Sequence, residues 1–158
     1  MLTVTRKHRI SAAHRLYDYT GKCERLHGHN YDISITITRP ALDALGMIID
    51  FADIKRLLLT ALDQAWDHKT LLYDKDPLCT TLKKILDDGS VCAVPFNPTA
   101  ENMACYLGET FFPGILAQQN VPQNLSVISV TVYETPENLA TWQKTESAAN
   151  STYPPSHP

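Results

Sequence analysis

Three histidines near the amino terminus carry the most specific chemical signal in this sequence. His27 and His29 have the same strand parity as Tyr31 and Ile33, so on an extended strand both imidazoles emerge on one side, about 6.5–7 Å apart. Two imidazoles at that spacing can converge on one metal ion, with zinc–nitrogen bonds of about 2.0–2.1 Å. A pair of satisfied, half-buried histidines is the alternative interpretation of these two residues alone.

A third histidine strengthens the metal hypothesis. His14 stands at the end of a predicted first strand, where an antiparallel neighbour could bring it against His27 and His29. Three histidine ligands leave one position of a tetrahedral zinc ion open, which is typical of catalytic sites. Cys23 could supply a fourth ligand and close the site, or it could remain a free thiol beside the metal.

Two adjacent residues could serve such a thiol. A catalytic cysteine needs a partner to hold its proton, and Asp67 with His68 follows the first predicted helix. An Asp that orients a His, which in turn activates Cys23, is a recognised arrangement. A capped, solvated helix end is the alternative interpretation of the pair.

Glu134 places a carboxylate on an apolar strand face. It shares the parity of Ile128, Val130 and Val132. It is therefore either solvated beyond the end of the strand or a partly buried acceptor for paired N–H donors of a ligand.

Length and charge limit the class of protein. The chain has 158 residues and a net charge of −3, and no run of 18 apolar residues or secretory signal is present. Residues 1–39 carry a net charge of +4 and the remainder −7, so the first third is either a solvated surface or faces an anionic small molecule, whereas a nucleic-acid-binding protein is more often basic overall. The lack of a long apolar run predicts no membrane partner. The four cysteines form no C-x-x-C pair and the chain lacks an export signal, which predicts reduced thiols in a cytoplasmic protein.

The elements that must position these groups form a predicted α+β domain. Periodicity predicts four strands, at 2–11, 31–38, 46–49 and 125–133. Two amphipathic helices begin after the predicted caps Asp50 and Thr99, and the second is predicted to end at Pro113-Gly114. The order of elements predicts an antiparallel sheet with both helices on one face.

The remaining segments have weaker patterns. Residues 70–97 are predicted to be irregular with one short helix. The domain is placed at 1–142, and the polar segment 143–158 is predicted to be a flexible tail, because it has too little apolar surface to offset the cost of ordering.

Taken together, the motifs resemble those of the 6-pyruvoyl-tetrahydropterin synthase family. In order, they are Ala12-Ala13-His14-Arg15-Leu16, Cys23-x-x-x-His27-Gly28-His29-x-Tyr31, Asp67-His68-Lys69, Pro98-Thr99-Ala100-Glu101-Asn102 and Tyr133-Glu134-Thr135. The resemblance runs from about residue 4 to residue 142 and is strongest to the bacterial branch of the queuosine pathway, which forms a 6-carboxytetrahydropterin.

The resemblance implies a role for each site residue. It implies that zinc is bound by His14, His27 and His29, that Cys23 is the catalytic thiol, that Asp67 and His68 complete the proton-transfer set, and that Glu134 binds the pyrimidine end of a pterin with help from Thr99. It also implies the tunnelling fold, in which two helices cover a four-stranded antiparallel sheet and subunits join into barrels. The expected substrate is 7,8-dihydroneopterin triphosphate, and the expected assembly is a homohexamer with sites at subunit boundaries.

Glu24 leaves the reaction product open. A related branch lacks the cysteine and uses a glutamate in Glu-x-x-His-Gly-His to make 6-hydroxymethyl-dihydropterin, whereas this chain has both residues in Cys23-Glu24-x-x-His-Gly-His. Glu24 is therefore a candidate substrate-binding residue, and a pyruvoyl, a hydroxymethyl or a dual product is an alternative to the carboxy product. A non-catalytic zinc-containing pterin-binding module, closed by Cys23, is the alternative of another class. The segment from Pro77 to Pro95 is longer than in the shortest bacterial members of the family.

Overall fold

The structure is a computed structural model that describes residues 1–86, 88–119, 121 and 124–145. From position 146 onward, the tail predicted at 143–158 lies outside the described residues. Within the described ranges, no helix is both long enough and apolar enough to cross a membrane.

A single mixed sheet of six strands forms the centre of the fold. The strands are β1 (Val4–His14), β2 (His27–Thr38), β3 (Lys69–Tyr73), β4 (Val91–Val94), β5 (Ser126–Tyr133) and β6 (Leu139–Gln143). Their spatial order is β4-β3-β1-β2-β5-β6. β1, β2, β5 and β6 pair antiparallel in that order, whereas β3 is parallel to both β1 and β4.

Two long helices cover one face of this sheet. Five α-helical segments are described, α1 (Phe51–Ile54), α2 (Thr60–Trp66), α3 (Pro77–Leu86), α4 (Ala100–Tyr106) and α5 (Phe112–Gln118). A π-helical turn at Lys55–Leu59 joins α1 to α2, and another at Leu107–Phe111 joins α4 to α5. Their apolar faces and the inward face of the sheet form one hydrophobic core. The predicted α+β class is confirmed.

The two long strands have a buried and a polar face, as their alternation predicts. Tyr31, Ile33, Ile35 and Ile37 are completely buried, and Ile10 on β1 is 1% exposed. The intervening residues of β2 face away from the helices and are mostly polar. Burial of these apolar side chains contributes roughly 1.5–3 kcal/mol each, which fixes the face that every neighbouring residue presents.

The two predicted helix starts are confirmed. The Asp50 side chain accepts a hydrogen bond from the Ala52 N–H at 2.7 Å, and the Thr99 hydroxyl accepts one from the Asn102 N–H at 3.2 Å. The predicted end at Pro113-Gly114 is wrong, because the helix continues to Gln118. Pro113 lies in the first turn after the π-helical turn, a position that tolerates proline.

The prediction of four strands is wrong in three places. Residues 46–49 do not form a strand, and the segment 70–97 contributes two strands, β3 and β4, besides the predicted short helix, which is α3. The strand β6 is also absent from the prediction. Leu71 and Leu72 are both completely buried on opposite faces of β3, so the strand lacks the alternation that reveals a half-buried strand. Leu71 joins the main core, whereas Leu72 packs with Cys79 of α3 in a second cluster, which places α3 on the opposite face of the sheet from the long helices.

A β-bulge corrects the predicted face of β5. Thr36 pairs with Ser129 but Ile37 pairs with Val127, so Ile128 is an extra residue without a direct partner on β2. Val127 is therefore buried and Ile128 only partly so. Glu134 lies beyond the bulge, so its predicted parity with Val130 and Val132 is retained.

A long helix packs closely against β6 at Gly108. A Cβ atom at Gly108 would lie 2.1 Å from Cε3 of Trp142 on β6, whereas a Cβ atom at Gly114 would meet no atom within 4 Å. We expect Gly108→Ala to lower the free energy of unfolding by about 1–3 kcal/mol through overpacking. Gly114→Ala, in the same helix, is the control and should be neutral or slightly stabilising. Chemical denaturation of both variants measures the difference, and equal stabilities would contradict the packing argument.

Candidate active site

The three predicted ligands meet where β1 ends and β2 begins. His14 is the last residue of β1 and pairs directly with His27, the first residue of β2. One ring nitrogen from each of His14, His27 and His29 lies within 4.8 Å of the other two. The Nε2 atoms of His14 and His27 are 3.1 Å apart.

Hydrogen bonds at the far side of two rings fix their tautomers. Nδ1 of His14 lies 2.7 Å from the Pro98 carbonyl oxygen, and Nδ1 of His27 lies 2.7 Å from the Arg25 carbonyl oxygen. A carbonyl only accepts, so each Nδ1 carries the proton and each Nε2 presents a lone pair. Carbonyl partners of this kind typically orient metal-binding histidines.

The two facing lone pairs fit a metal ion. Two nitrogen ligands at about 2.0–2.1 Å from a tetrahedral zinc ion are about 3.3 Å apart, close to the separation of the two Nε2 atoms. Without a cation between them, two lone pairs at this distance repel each other. The donor set of three neutral imidazoles is one that zinc accepts.

Burial keeps the imidazoles of His14 and His29 neutral. Desolvation lowers the pKa of His14 to about 4, only partly offset by its hydrogen bond to the Pro98 carbonyl. Desolvation also lowers the pKa of His29. Tyr31 packs edge-on against both rings, and burial raises the pKa of its hydroxyl. At neutral pH His14 and His29 are therefore unprotonated, as metal ligation requires.

A pocket of about 430 Å³ opens beside His14. Its lining includes Cys23, Thr99 and Glu134, so the structure brings these three predicted residues together with the histidine cluster. Oε1 of Glu134 lies 3.9 Å from Nε2 of His14, and its side chain is 28% exposed. Thr99 is held at the pocket by its role as helix cap.

Cys23 lies in a 3₁₀ turn, Lys22–Glu24, within the connection from β1 to β2. Its carbonyl accepts a hydrogen bond from the Leu16 N–H at 2.8 Å, and its thiol is free. Among the described residues, Cys23 is not part of the group whose ligand atoms converge. Glu24 is exposed and, within the described part of the chain, is not among the residues that line the pocket.

Asp67 and His68 form the predicted pair but do not line the pocket that contains Cys23. Asp67 Oδ2 hydrogen-bonds His68 Nδ1 at 2.8 Å, while Asp67 Oδ1 accepts from the Ser11 N–H at 2.8 Å. Burial opposes ionisation of Asp67, but these hydrogen bonds together lower the pKa of its carboxyl group. The His68 side chain is 81% exposed and lines a second pocket of about 440 Å³ with Lys69. In the described part of the chain, no hydrogen bond joins His68 to Cys23.

Sequence reasoning missed two residues that support the site. Asp76, 1% exposed, accepts two hydrogen bonds from Arg15, the neighbour of His14, at 2.5 and 2.6 Å. Asn97 bonds to the backbone of Tyr17 across the same region. Both are distant in sequence from the residues they hold, and only the position of Asn97 immediately before the Pro98-Thr99 motif gave a signal.

The buried histidine predicts a pH dependence of stability in metal-free protein. The unfolded chain protonates His14 near its ordinary pKa of about 6.5, whereas the folded chain does so only near pH 4. Stability from this group is therefore complete above about pH 6.5 and is lost as the pH falls towards 4, by on the order of 3 kcal/mol. Urea denaturation of metal-free protein over this range measures the slope.

Two variants separate this contribution from the rest of the titration. His14→Asn should flatten the slope between about pH 6.5 and pH 4 because its side chain does not titrate. Leu26→Asn replaces an exposed residue that does not titrate and should keep the wild-type slope. Equal slopes in wild type and His14→Asn would contradict the assignment.

Comparisons with known proteins identify the family of this chain. Residues 3–145 match the family described as 6-pyruvoyl tetrahydropterin synthase. The chain is 36% identical over 136 residues to a 6-carboxy-5,6,7,8-tetrahydropterin synthase of Rickettsia conorii, covering 86% of this chain and 96% of that protein. It is 40% identical over 128 residues to a probable enzyme of the same name from Halobacterium salinarum, covering 81% of this chain and 77% of that protein.

Solved structures agree at the level of the fold. The 6-pyruvoyl tetrahydropterin synthase of Caenorhabditis elegans superposes with a TM-score of 0.61 at 29% identity, over 91% of this chain and 96% of that chain. An uncharacterised protein of Wolinella succinogenes superposes with a TM-score of 0.75 at 22% identity, over 91% of this chain and 98% of that chain. With the histidine cluster, the pocket and the matched length taken together, this chain belongs to the 6-pyruvoyl tetrahydropterin synthase family.

Proposed function

We propose that this protein is a zinc-dependent lyase that converts 7,8-dihydroneopterin triphosphate to 6-carboxy-5,6,7,8-tetrahydropterin, acetaldehyde and triphosphate, in the queuosine pathway. The observation that carries the proposal is the pair of facing Nε2 lone pairs of His14 and His27, because His14 lines a pocket that Cys23 and Glu134 also line. Relatives named for this product, at 36% and 40% identity, support the carboxy reaction.

The three histidines would hold the zinc ion. When bound, zinc supplies a Lewis acid that lowers the pKa of a hydroxyl group and stabilises negative charge developing on the substrate side chain. The Pro98 and Arg25 carbonyls keep the Nε2 atoms of His14 and His27 free of protons for this purpose.

Glu134 would bind the pterin ring. The 2-amino group and a ring N–H of a pterin are two parallel donors, which match the two oxygens of a carboxylate. Glu134 is partly shielded in the pocket, where an unpaired carboxylate would be unfavourable. This contact places the side chain of the pterin towards the histidines, since Glu134 Oε1 is 3.9 Å from Nε2 of His14.

Cys23 would transfer a proton at the carbon skeleton of the substrate. Its position in the pocket, outside the group of converging ligand atoms, supports a free thiol rather than a fourth metal ligand. That argues against the non-catalytic module. A general acid–base group of this kind typically contributes about 10²–10⁴-fold in rate.

Asp67 and His68 would complete the proton transfer in a homo-oligomer, which we propose is a hexamer. The pair is formed, but its histidine lines a different pocket from Cys23 of the same chain. The exposed His68 side chain is available to the Cys23 of a second copy. β4 and β6 end the sheet with backbone groups that can pair with a neighbour, which supports assembly.

The position of Glu24 gives less support to the hydroxymethyl reaction. Its side chain is exposed, whereas the neighbouring Cys23 lines the pocket. We therefore place the pyruvoyl and hydroxymethyl products second to the carboxy product. Among the described residues no cysteine forms a disulfide bond, which supports a reducing compartment, the cytoplasm.

Product identification with matched variants tests the function. Zinc-loaded wild-type protein should convert 7,8-dihydroneopterin triphosphate to the carboxypterin. Cys23→Ala should retain its zinc but form this product about 10²–10⁴-fold more slowly, because the thiol moves a proton and does not bind metal. His27→Ala should lose zinc and activity together. Chromatographic identification of the pterin and metal analysis measure both quantities.

The controls separate the competing interpretations. Cys92→Ala, a thiol on β4, should keep both zinc and activity. Loss of zinc from Cys23→Ala would favour the closed site, and a hydroxymethyl product retained by Cys23→Ala would assign that reaction to Glu24. Absence of any pterin product from the zinc-loaded wild-type protein would refute the proposed lyase activity.

Glu134→Gln tests the proposed pterin contact. The change keeps the shape of the side chain but removes its charge and replaces one acceptor by a donor. We expect a loss of about 1.5–3 kcal/mol in pterin binding, the range for hydrogen bonds to a charged group, with unchanged zinc content. Titration of pterin fluorescence measures the affinity. Glu137→Gln, an exposed carboxylate at the same pocket, is the control and should lose much less. Unaltered affinity in Glu134→Gln would mean that Glu134 is merely solvated.

A further inference from the structure

The side chain of Asn97 joins two segments that are distant in sequence. Its Oδ1 accepts a hydrogen bond from the Tyr17 N–H at 2.8 Å, and its Nδ2 donates to the Tyr17 carbonyl at 2.8 Å. An amide side chain thus pairs with one residue of the backbone as a neighbouring strand would. The two bonds are partly buried, so water competes for them less than at the surface.

The backbone of Asn97 organises the metal side of the site. Its carbonyl accepts from the Thr99 N–H at 2.7 Å and from Asn102 Nδ2 at 3.0 Å. The next residue, Pro98, provides the carbonyl to which Nδ1 of His14 bonds at 2.7 Å. The conformation at Asn97 therefore sets where the hydrogen-bond partner of His14 lies.

The Tyr17 side of the contact leads to the thiol. The Leu16 N–H, one residue before Tyr17, donates to the Cys23 carbonyl at 2.8 Å. The 3₁₀ turn that carries Cys23 is thus tied to Leu16, Leu16 is followed by Tyr17, and Tyr17 is held by Asn97. Hydrogen bonds, with the peptide bonds between neighbouring residues, therefore link the backbone of Cys23 to the Pro98 carbonyl that accepts from His14.

We propose that Asn97 is a positioning residue that sets the distance of the Cys23 thiol from the metal site. The proposal rests on the proposed function only where it predicts an effect of Asn97 on turnover. Asparagine suits the position because its side chain offers an acceptor and a donor on one short planar group, which matches the N–H and C=O of Tyr17. An aspartate carboxylate would keep the acceptor but place an oxygen against the Tyr17 carbonyl.

Thiol reactivity in metal-free protein tests the proposal without turnover. Asn97→Ala frees the loop, so alkylation of Cys23 by iodoacetamide, assigned by mass spectrometry, should be at least about fivefold faster than in wild type. Asn97→Asp should show a smaller increase. If Asn97→Ala does not yield folded protein, Asn97→Asp carries the same comparison.

Asp43→Ala is the matched control. The Asp43 side chain also closes a loop by accepting from two backbone N–H groups, those of Leu45 and Met47, at 2.9 and 2.8 Å. That loop follows the end of β2 opposite His27, so the variant should lower stability without changing the alkylation rate of Cys23. Equal alkylation rates in Asn97→Ala and wild type, or equal increases in Asn97→Ala and Asp43→Ala, would overturn the proposal.

Steady-state kinetics of the zinc-loaded protein separate positioning from binding. Asn97→Ala should lower kcat by about tenfold to a hundredfold at full zinc occupancy, because a misplacement of about 1 Å can cost a hundredfold. KM should change less than about threefold, since Glu134 lies on a different element and the Asn97 carbonyl that accepts from the Thr99 N–H is retained in the variant. An increase in KM with unchanged kcat would overturn the positioning role. A wild-type protein without turnover would refute the proposed function and leave the alkylation comparison valid.

Discussion

The pairing of β1 with β2 is the constraint on which the rest of the site depends. Their antiparallel register places His14 opposite His27 at the last position of the ladder. A slip of one residue would turn every side chain of a strand to the other face. The register cannot slip at low cost, because Ile10, Tyr31 and Ile33 on the same face are at most 1% exposed. The apolar core thus determines where the imidazoles lie, although it contacts no substrate.

Without a bound cation, the lone pairs of the histidine cluster repel each other, and this cost indicates that the cluster serves a function. His14 is 2% exposed, and the one N–H of its neutral ring, at Nδ1, donates to the Pro98 carbonyl. Its other nitrogen faces Nε2 of His27 at 3.1 Å, with both tautomers fixed by carbonyls. The sheet holds the two Nε2 lone pairs 3.1 Å apart, and the stability of the apolar core offsets their repulsion. Arrangements of this kind concentrate at functional sites, and a cation between the two nitrogens would convert the repulsion into binding energy.

The sequence predicted the parts of the fold in which pattern and neighbours agree. Alternation predicted β2, cap chemistry predicted the helix starts at Asp50 and Thr99, and strand parity predicted the meeting of three histidines. β3 escaped prediction because a short strand buried on both faces does not alternate, and β4 has only four residues. β6 escaped it because apolar Leu139 is exposed while Ala140 and Trp142 pack against the core. The bulge at Ile128 depends on the partner strand, and the contacts of Asp76 and Asn97 span 61 and 80 residues. Such contacts are decided by tertiary structure, which leaves no periodic signal in the sequence.

The rigidity of the Asp67–His68 pair bears on how the proton-transfer groups can meet. Asp67 Oδ1 accepts from the Ser11 N–H at 2.8 Å, and the His68 N–H donates to the Ser11 carbonyl at 2.7 Å, so both residues are fixed to β1. His68 also has a left-handed backbone conformation, with φ of 57°, that holds its side chain outward. Proton transfer requires an approach of about 2.6–3.2 Å or one bridging water. One hydrogen bond with Ser11 anchors the side chain of Asp67 and another anchors the backbone of His68, so the pair is held at β1. The proposed hexamer would let each copy present this exposed histidine to the pocket of another.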